Sequence, residues 1–266
     1  MTPAERLAAA RRGLTAAVER HARMIETWPA IDVPIPGSAW TARDATVHLA
    51  GSHHRHLGYV SGDTLPAVTL DKELLDARTR GQIAENAEAD PKMLAEQIRD
   101  GFAELLAVTA PVPADRPIAY HAGLTPNLAE LTCVLLGEYL LHGYDVATAL
   151  RLPWPIDPDQ AALVVAAYRM VYRLTFQPAA AAGLRASYRL EIPGTAPFHV
   201  TVADGSYEEP SHPPSIDCVI AADPVTALLV QSGRLSQWPA VALGRLTFAG
   251  PHPELGPRFA ELFVFP

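Results

Sequence analysis

The stretch LLGEYLLHGYDVATAL at residues 135–150 places Glu138 and His142 four residues apart in an otherwise apolar run. At that spacing both side chains leave one face of a helix. Leu128, Leu131, Val134, Leu135, Leu136, Leu140 and Leu141 cover nearly every other side. Such a helix belongs in the interior of a bundle. A bare buried carboxylate costs several kcal/mol unless a cation or hydrogen-bond donors compensate it. Asp145 continues the same face. A basic side chain or a metal ion should therefore meet this face.

Upstream, WTARDATVHLAGSHHRH (40–56) supplies candidates. Thr41 and Asp44 form a helix-start pair. His48 lies in the second turn between Val47 and Leu49 and is expected to point inward. His53, His54 and His56 follow in a more polar stretch and read as surface or rim residues. Two ligands on one helix and a third from another is how bundles build metal sites. His48, Glu138 and His142 with an open fourth position match the pattern of catalytic zinc. An internally hydrogen-bonded polar pair is the competing reading. No CxxC or HExxH occurs, and no Gly-rich phosphate loop lies between a strand and a helix.

Working outward, Thr2, Pro3 and Glu5 open a helix over 2–28, with Leu7, Leu14, Val18, Ile25 and Trp28 on one face and His21 on the inner stripe. Residues 28–40 are a Pro-rich connection. Segment 71–88 (DKELLDARTRGQIAENAE) reads as weakly amphipathic helix. Asp90-Pro91 opens a helix to about 109, and 110–117 is a loop. Thr125-Pro126 is expected to open the helix that carries Glu138 and His142. A last helix is expected over 158–176.

After about residue 180 the period changes to two. LRASYRLEI, FHVTVADG (with an Asp-Gly turn), IDCVIAA and GRLTFAG read as strands. Asp223-Pro224 opens a helix ending at Gly233, and the tail 252–263 reads as helical. The fold class is thus two-domain: a helical domain over 1–178 and a small α+β domain over 179–266.

Composition narrows the function. The 266 residues are 49% hydrophobic and 19% charged, which suits a globular chain. The formal charge of −8 argues against nucleic acid as a partner. Only Lys72 and Lys92 are lysines, and the Arg- and Ala-rich usage suggests a GC-rich bacterial genome. Cys133 and Cys218 read as reduced structural thiols. No signal-type segment or membrane span is expected, so the expected compartment is the cytoplasm and no membrane partner is expected. The expected state is a monomer or weak homodimer.

WTARDATVHLA (40–50), the downstream Glu-x-x-x-His-Gly-aromatic-Asp and the PWPID phrase (153–157) together resemble the mycothiol-dependent maleylpyruvate isomerase family, within the DinB-like metal-binding bundles. The resemblance covers most of residues 1–175. It implies an up-down four-helix bundle holding a divalent metal, usually zinc, on His48, Glu138 and His142. The C-terminal pattern is similar to a sterol-carrier-like domain. The implied cofactors are that metal and the thiol mycothiol. The implied activity is S-transfer to, or cis–trans isomerisation of, a small electrophilic and anionic substrate. Among further candidates, Asp145 would steady a ligand, Arg55 would bind a carboxylate, and His56 would shuttle a proton. Trp40 reads as a packing anchor. Arg185, Tyr188, Arg234 and Trp238 read as packing residues, though the resemblance allows one of these arginines a role toward an anionic substrate. A non-catalytic lipid carrier and a metal-dependent hydrolase are the rival functions.

Overall fold

The computed structural model describes residues 1–28, 30–64, 66–67, 77, 79–81, 83–84 and 90–265. The chain forms two compact units, Met1–Ile156 and Asp157–Pro266. The helix expected over 158–176 falls in the second unit, whereas the sequence division at 178 assigns it to the first.

Among the described residues, the first unit contains four long helices: α1 (Pro3–Glu26), α2 (Ala42–Ser61), α3 (Pro91–Thr109) and α4 (Leu128–Leu150). Local sequence starts each one. Thr2–Glu5, Thr41–Asp44 and Asn127–Glu130 form capping boxes, and Asp90 caps α3 ahead of Pro91. The α4 helix starts two residues later than a Thr125 cap suggests, with Asn127 as its cap. Pro126 is still extended, and its carbonyl accepts from Ile118 N at 2.8 Å. The α1 helix stops at Glu26, leaving Trp28 beyond its end.

Helix α1 packs on α3 and α4, and α2 packs on the same two. The start of α1 and the start of α4 lie together, with Arg6 3.5 Å from Glu130. The last turn of α2 reaches that end too, where Tyr59 and Val60 pack with Leu7 and Leu131. So does the last turn of α3, where Arg11 donates to the Thr109 carbonyl at 2.9 Å. The order is therefore up-down-down-up, which corrects the simple up-down alternation. Two successive helices in the same direction need a connection that returns the length of α3, about 28 Å. Residues 62–90 separate α2 from α3 in sequence. The helix expected over 71–88 falls largely outside the described residues. Leu14, Ile25, Leu49, Leu94, Ile98, Leu131, Leu135, Leu136 and Leu140 are almost wholly buried between the helices.

In the second unit, β1 (Arg185–Glu191), β2 (Phe198–Ala203), β3 (Ser206–Glu208), β4 (Cys218–Ala222) and β5 (Leu246–Ala249) form one sheet in the order β3-β2-β1-β4-β5. Only the β1–β4 pairing is parallel. In β2, Phe198, Val200 and Val202 alternate inward with partly exposed His199, Thr201 and Ala203. The Asp204-Gly205 turn closes the β2–β3 hairpin with φ of 48° and 86°, a left-handed pair that glycine makes accessible.

Helix α5 (Pro158–Tyr168) packs on α6 (Pro224–Gln231). The expected helix to 176 breaks after Tyr168 into a 3₁₀ turn and a short helix. The break brings Tyr172 into a ring cluster with Phe198, Phe259 and Phe263. The tail is likewise broken, because Pro253 and Pro257 remove helical donors. Trp238 lies in helix α7 (Gln237–Ala242). It is 59% exposed, so it is not the packing residue expected.

Candidate functional site

The Thr41–Asp44 box sets the phase of α2. Asp44 Oδ2 accepts from both Thr41 N (2.7 Å) and Thr41 Oγ1 (2.8 Å). One turn on from that box, His48 faces α4. Its Nε2 lies 3.0 Å from Glu138 Oε2. His142 Nε2 lies 3.4 Å from the same oxygen. One ligand atom from each of His48, Glu138 and His142 can be chosen so that all lie within 4.8 Å of one another.

These spacings suit a divalent ion. Bonds of about 2.0–2.2 Å in a tetrahedron separate donor atoms by roughly 3.3 Å. Asp145 Oδ2 stands 3.3 Å from His142 Nδ1, the partner that orients a ligating imidazole. His48 differs, because its Nδ1 faces Arg55 Nη2 at 3.4 Å. Arginine has no acceptor, so Nδ1 presents its lone pair and Nε2 donates to Glu138. Ligation through Nε2 would displace that proton.

The electrostatics follow from the packing. Burial pulls His48 down to about 4, against the opposing pull of Glu138. Burial disfavours charge on Glu138, yet the hydrogen bonds from His142 and His48 outweigh it and hold the carboxyl well below its usual range. At His142 burial is again outweighed, here by Asp145 and Glu138, and the imidazole is raised above its ordinary value. The cluster thus centres on an ionised carboxylate between the weakly basic His48 and the more basic His142.

Trp40, half-buried in the strap before α2, covers both histidines. Its rings lie 5.3 Å from His48 and 5.5 Å from His142, the second contact stacked at 24°. Arg55 folds back along α2, and its Nη2 donates to the His48 carbonyl at 3.1 Å. Gly51 makes room, since a Cβ there would lie 2.8 Å from Arg55 Nη1.

His53 and His56 are not rim residues. They are 0% and 6% exposed, while His54 is exposed as expected. The cause is the pitch of α2: residues 53 and 56 return to the faces turned toward α3 and α4. His53 stacks on Tyr139 and contacts Phe102. His56 Nδ1 donates to the Ser52 carbonyl at 2.9 Å. Its ring lines a cavity of about 20 Å³ with Leu14, Phe102, Leu105 and Leu135. That cavity is at the end of the bundle where α1 and α4 begin, two turns along α2 from His48. His21 Nε2 donates to Thr46 Oγ1 at 3.2 Å.

The PWPID phrase has a packing role. Trp154 Nε1 donates to the Leu140 carbonyl at 3.1 Å, and its ring lies over Gly143. A Cβ at 143 would meet that ring at 2.1 Å. The glycine beside His142 is thus explained by close approach. Sequence reading missed both this contact and the stacking of Trp40. A lone glycine in an apolar helix with a tryptophan shortly beyond its end was the available signal for the first.

A four-helix bundle enclosing a His–Glu–His cluster, followed by a small mixed sheet, defines a two-unit protein with an internal polar site capable of holding a metal ion. A sequence model described as the mycothiol maleylpyruvate isomerase N-terminal domain matches residues 4–147. The chain belongs to that family and is an enzyme. The crystal structure of the mycothiol-dependent maleylpyruvate isomerase is similar, with a TM-score of 0.55 at 16% identity, covering 94% of this chain and 93% of that one. A histidine-to-alanine variant of it matches equally well. At that identity the likeness bears on the fold. No curated protein sequence matches the chain significantly. Among the described residues, no helix is long and apolar enough to cross a membrane.

Proposed function

We propose that this chain is a metal-dependent enzyme that uses a low-molecular-weight thiol, mycothiol, either to isomerise a small electrophilic anion or to transfer the thiol's sulfur to it. The observation that supports this most is the meeting of His48 Nε2, Glu138 Oε2 and His142 Nε2 at ligating distances in a member of this family. On this reading the first unit is a DinB-like bundle and the second a sterol-carrier-like domain, divided near 178 or at the 156/157 contact boundary. Zinc suits the two-nitrogen, one-oxygen donor set.

A divalent ion on these three residues would lower the pKa of a coordinated thiol enough to deprotonate it. The chain's residues do the rest. Glu138 enters the site already ionised. Asp145 holds the His142 ring. Arg55, along α2 beside His48, supplies fixed positive charge toward an anionic substrate. His56 is too far along α2 to stand at the cluster, so any proton it moves passes through the bundle interior. Isomerisation needs the sulfur–carbon bond to form as the alkene π bond becomes a carbanion, rotation about the resulting single bond, and expulsion of the thiolate to restore the alkene. S-transfer stops after protonation of that carbanion or after loss of a leaving group.

The test has two arms. Metal content of untagged protein is compared with that of His48→Ala, and one ion against none is expected. Turnover of a cis-alkene dicarboxylate is then followed with and without mycothiol. Equal metal in both proteins removes the site, and thiol-independent turnover removes the mycothiol reading.

A further inference from the structure

Resting on the metal reading above, we infer that Trp40 is a positioning residue: its indole locks the ring planes of His48 and His142, and so holds the cluster's nitrogens at ligating spacing. The two imidazoles come from different helices, with centroids 5.0 Å apart and planes at 69°. The torsion that turns each ring is broad and soft. A half-turn of either ring would carry its Nε2 away from Glu138. The charge contact of Asp145 with His142 and the Arg55 hydrogen bond to His48 restrain one edge of each ring, but an edge contact leaves the plane free to rock.

Trp40 supplies the missing restraint. It contacts both faces at once, at 5.3 Å and 5.5 Å. It stands just outside α2, one residue before the Thr41 cap. The strap that carries it is pinned by Ile35 N donating to the Trp40 carbonyl (2.9 Å), by Trp40 N donating to Ser38 Oγ (3.1 Å), and by the Pro34–Thr41 bridge. A flat, rigid side chain on a strap pinned at the start of α2 can restrain the His142 ring of α4 and the His48 ring of α2 together. Simple packing would not need a ring stacked at 24° on one ligand and tilted at 49° over the other.

The test uses the full-length protein with Trp40→Leu, which fills space without a flat face, and Trp40→Phe, which keeps one. Trp40→Met replaces the leucine variant should that not fold. Zn²⁺ affinity is measured by competition with a chelating dye. Trp40→Leu should bind roughly ten- to a hundredfold more weakly, the range for losing a group that orients a ligand, with Trp40→Phe close to wild type. Ring ¹⁵N NMR signals of His48 and His142 are recorded on metal-free protein, sharp in wild type and Trp40→Phe and exchange-broadened in Trp40→Leu. Unchanged ring signals in Trp40→Leu overturn the inference, as does wild-type affinity in that variant. Absence of stoichiometric zinc in wild type defeats the metal reading instead, and the metal-free ring signals still decide the role of Trp40.

Discussion

Replacing His53 by leucine should remove one proton from the acid sensitivity of the bundle. His53 is wholly buried, and neither ring nitrogen has a hydrogen-bond partner among the described residues. Burial, with small contributions from His56 and Arg55, lowers its pKa to about 3. In the unfolded chain an imidazole titrates near 6.5. The folded pKa lies below the unfolded one, so the unfolded state binds more protons between those values. Stability is therefore intact above about pH 6.5 and falls as pH drops toward 3.

At pH 5.5, one unit below the unfolded value, the wild type should have lost about 1.4 kcal/mol through this residue. His21, at about 3, and His56, at about 4, have the same sign. The three together give roughly 4 kcal/mol, a large part of a typical stability of about 5–15 kcal/mol. Leucine has a similar volume and cannot titrate. At pH 7.5 its loss of stacking on Tyr139, about 1 kcal/mol, is offset by removal of two unsatisfied polar atoms. Urea unfolding of metal-free wild type and His53→Leu, followed by circular dichroism at pH 7.5 and 5.5, measures the difference. The variant should gain about 1.4 kcal/mol on the wild type between the two pH values. Parallel curves would show that His53 is not held neutral, and the argument from its burial would fail.

Gly143→Ala should destabilise the first unit by about 2–3 kcal/mol in the same assay, because its Cβ meets the Trp154 ring at 2.1 Å. Wild-type stability in that variant would mean the ring does not pack there. Asp145→Asn should weaken zinc binding by about tenfold or more in dye competition and lower the pKa of His142, read by NMR titration of metal-free protein. Cys133 is buried, and burial pushes its thiol up to about 12. The folded protein should therefore show no Cys133 reaction with a thiol-titrating disulfide over minutes at pH 8, and fast labelling would contradict its placement. Thr41→Ala should cost about 1 kcal/mol through loss of the α2 cap, seen as a lower urea midpoint.

Much of the fold was legible in the chain itself. Helix starts are local chemistry: Thr2, Thr41, Asp90 and Asp223 each bond to amides two or three residues away, so no distant partner is needed to read them. The alternation in β2 and the Asp-Gly turn are local for the same reason. Glu138 and His142 had to share a face once α4 was a helix, and an apolar helix bearing a carboxylate had to find it a partner. The meeting of that pair with His48 was inferred from the inward phase of α2 and from family likeness.

Other features belonged to the tertiary structure alone. Whether residues 53 and 56 met water or a neighbouring helix depended on what packed against α2, and the up-down-down-up order put α3 there. The breaks after Tyr168 and around Pro257 followed the ring cluster of the second unit as much as local propensity. The placement of Trp40 across two imidazoles, and of Trp154 over Gly143, joins residues whose separations carry no period. Short-range hydrogen bonds and periodicity are written in consecutive residues, whereas ring stacking and burial depend on which surfaces the folded chain brings into contact.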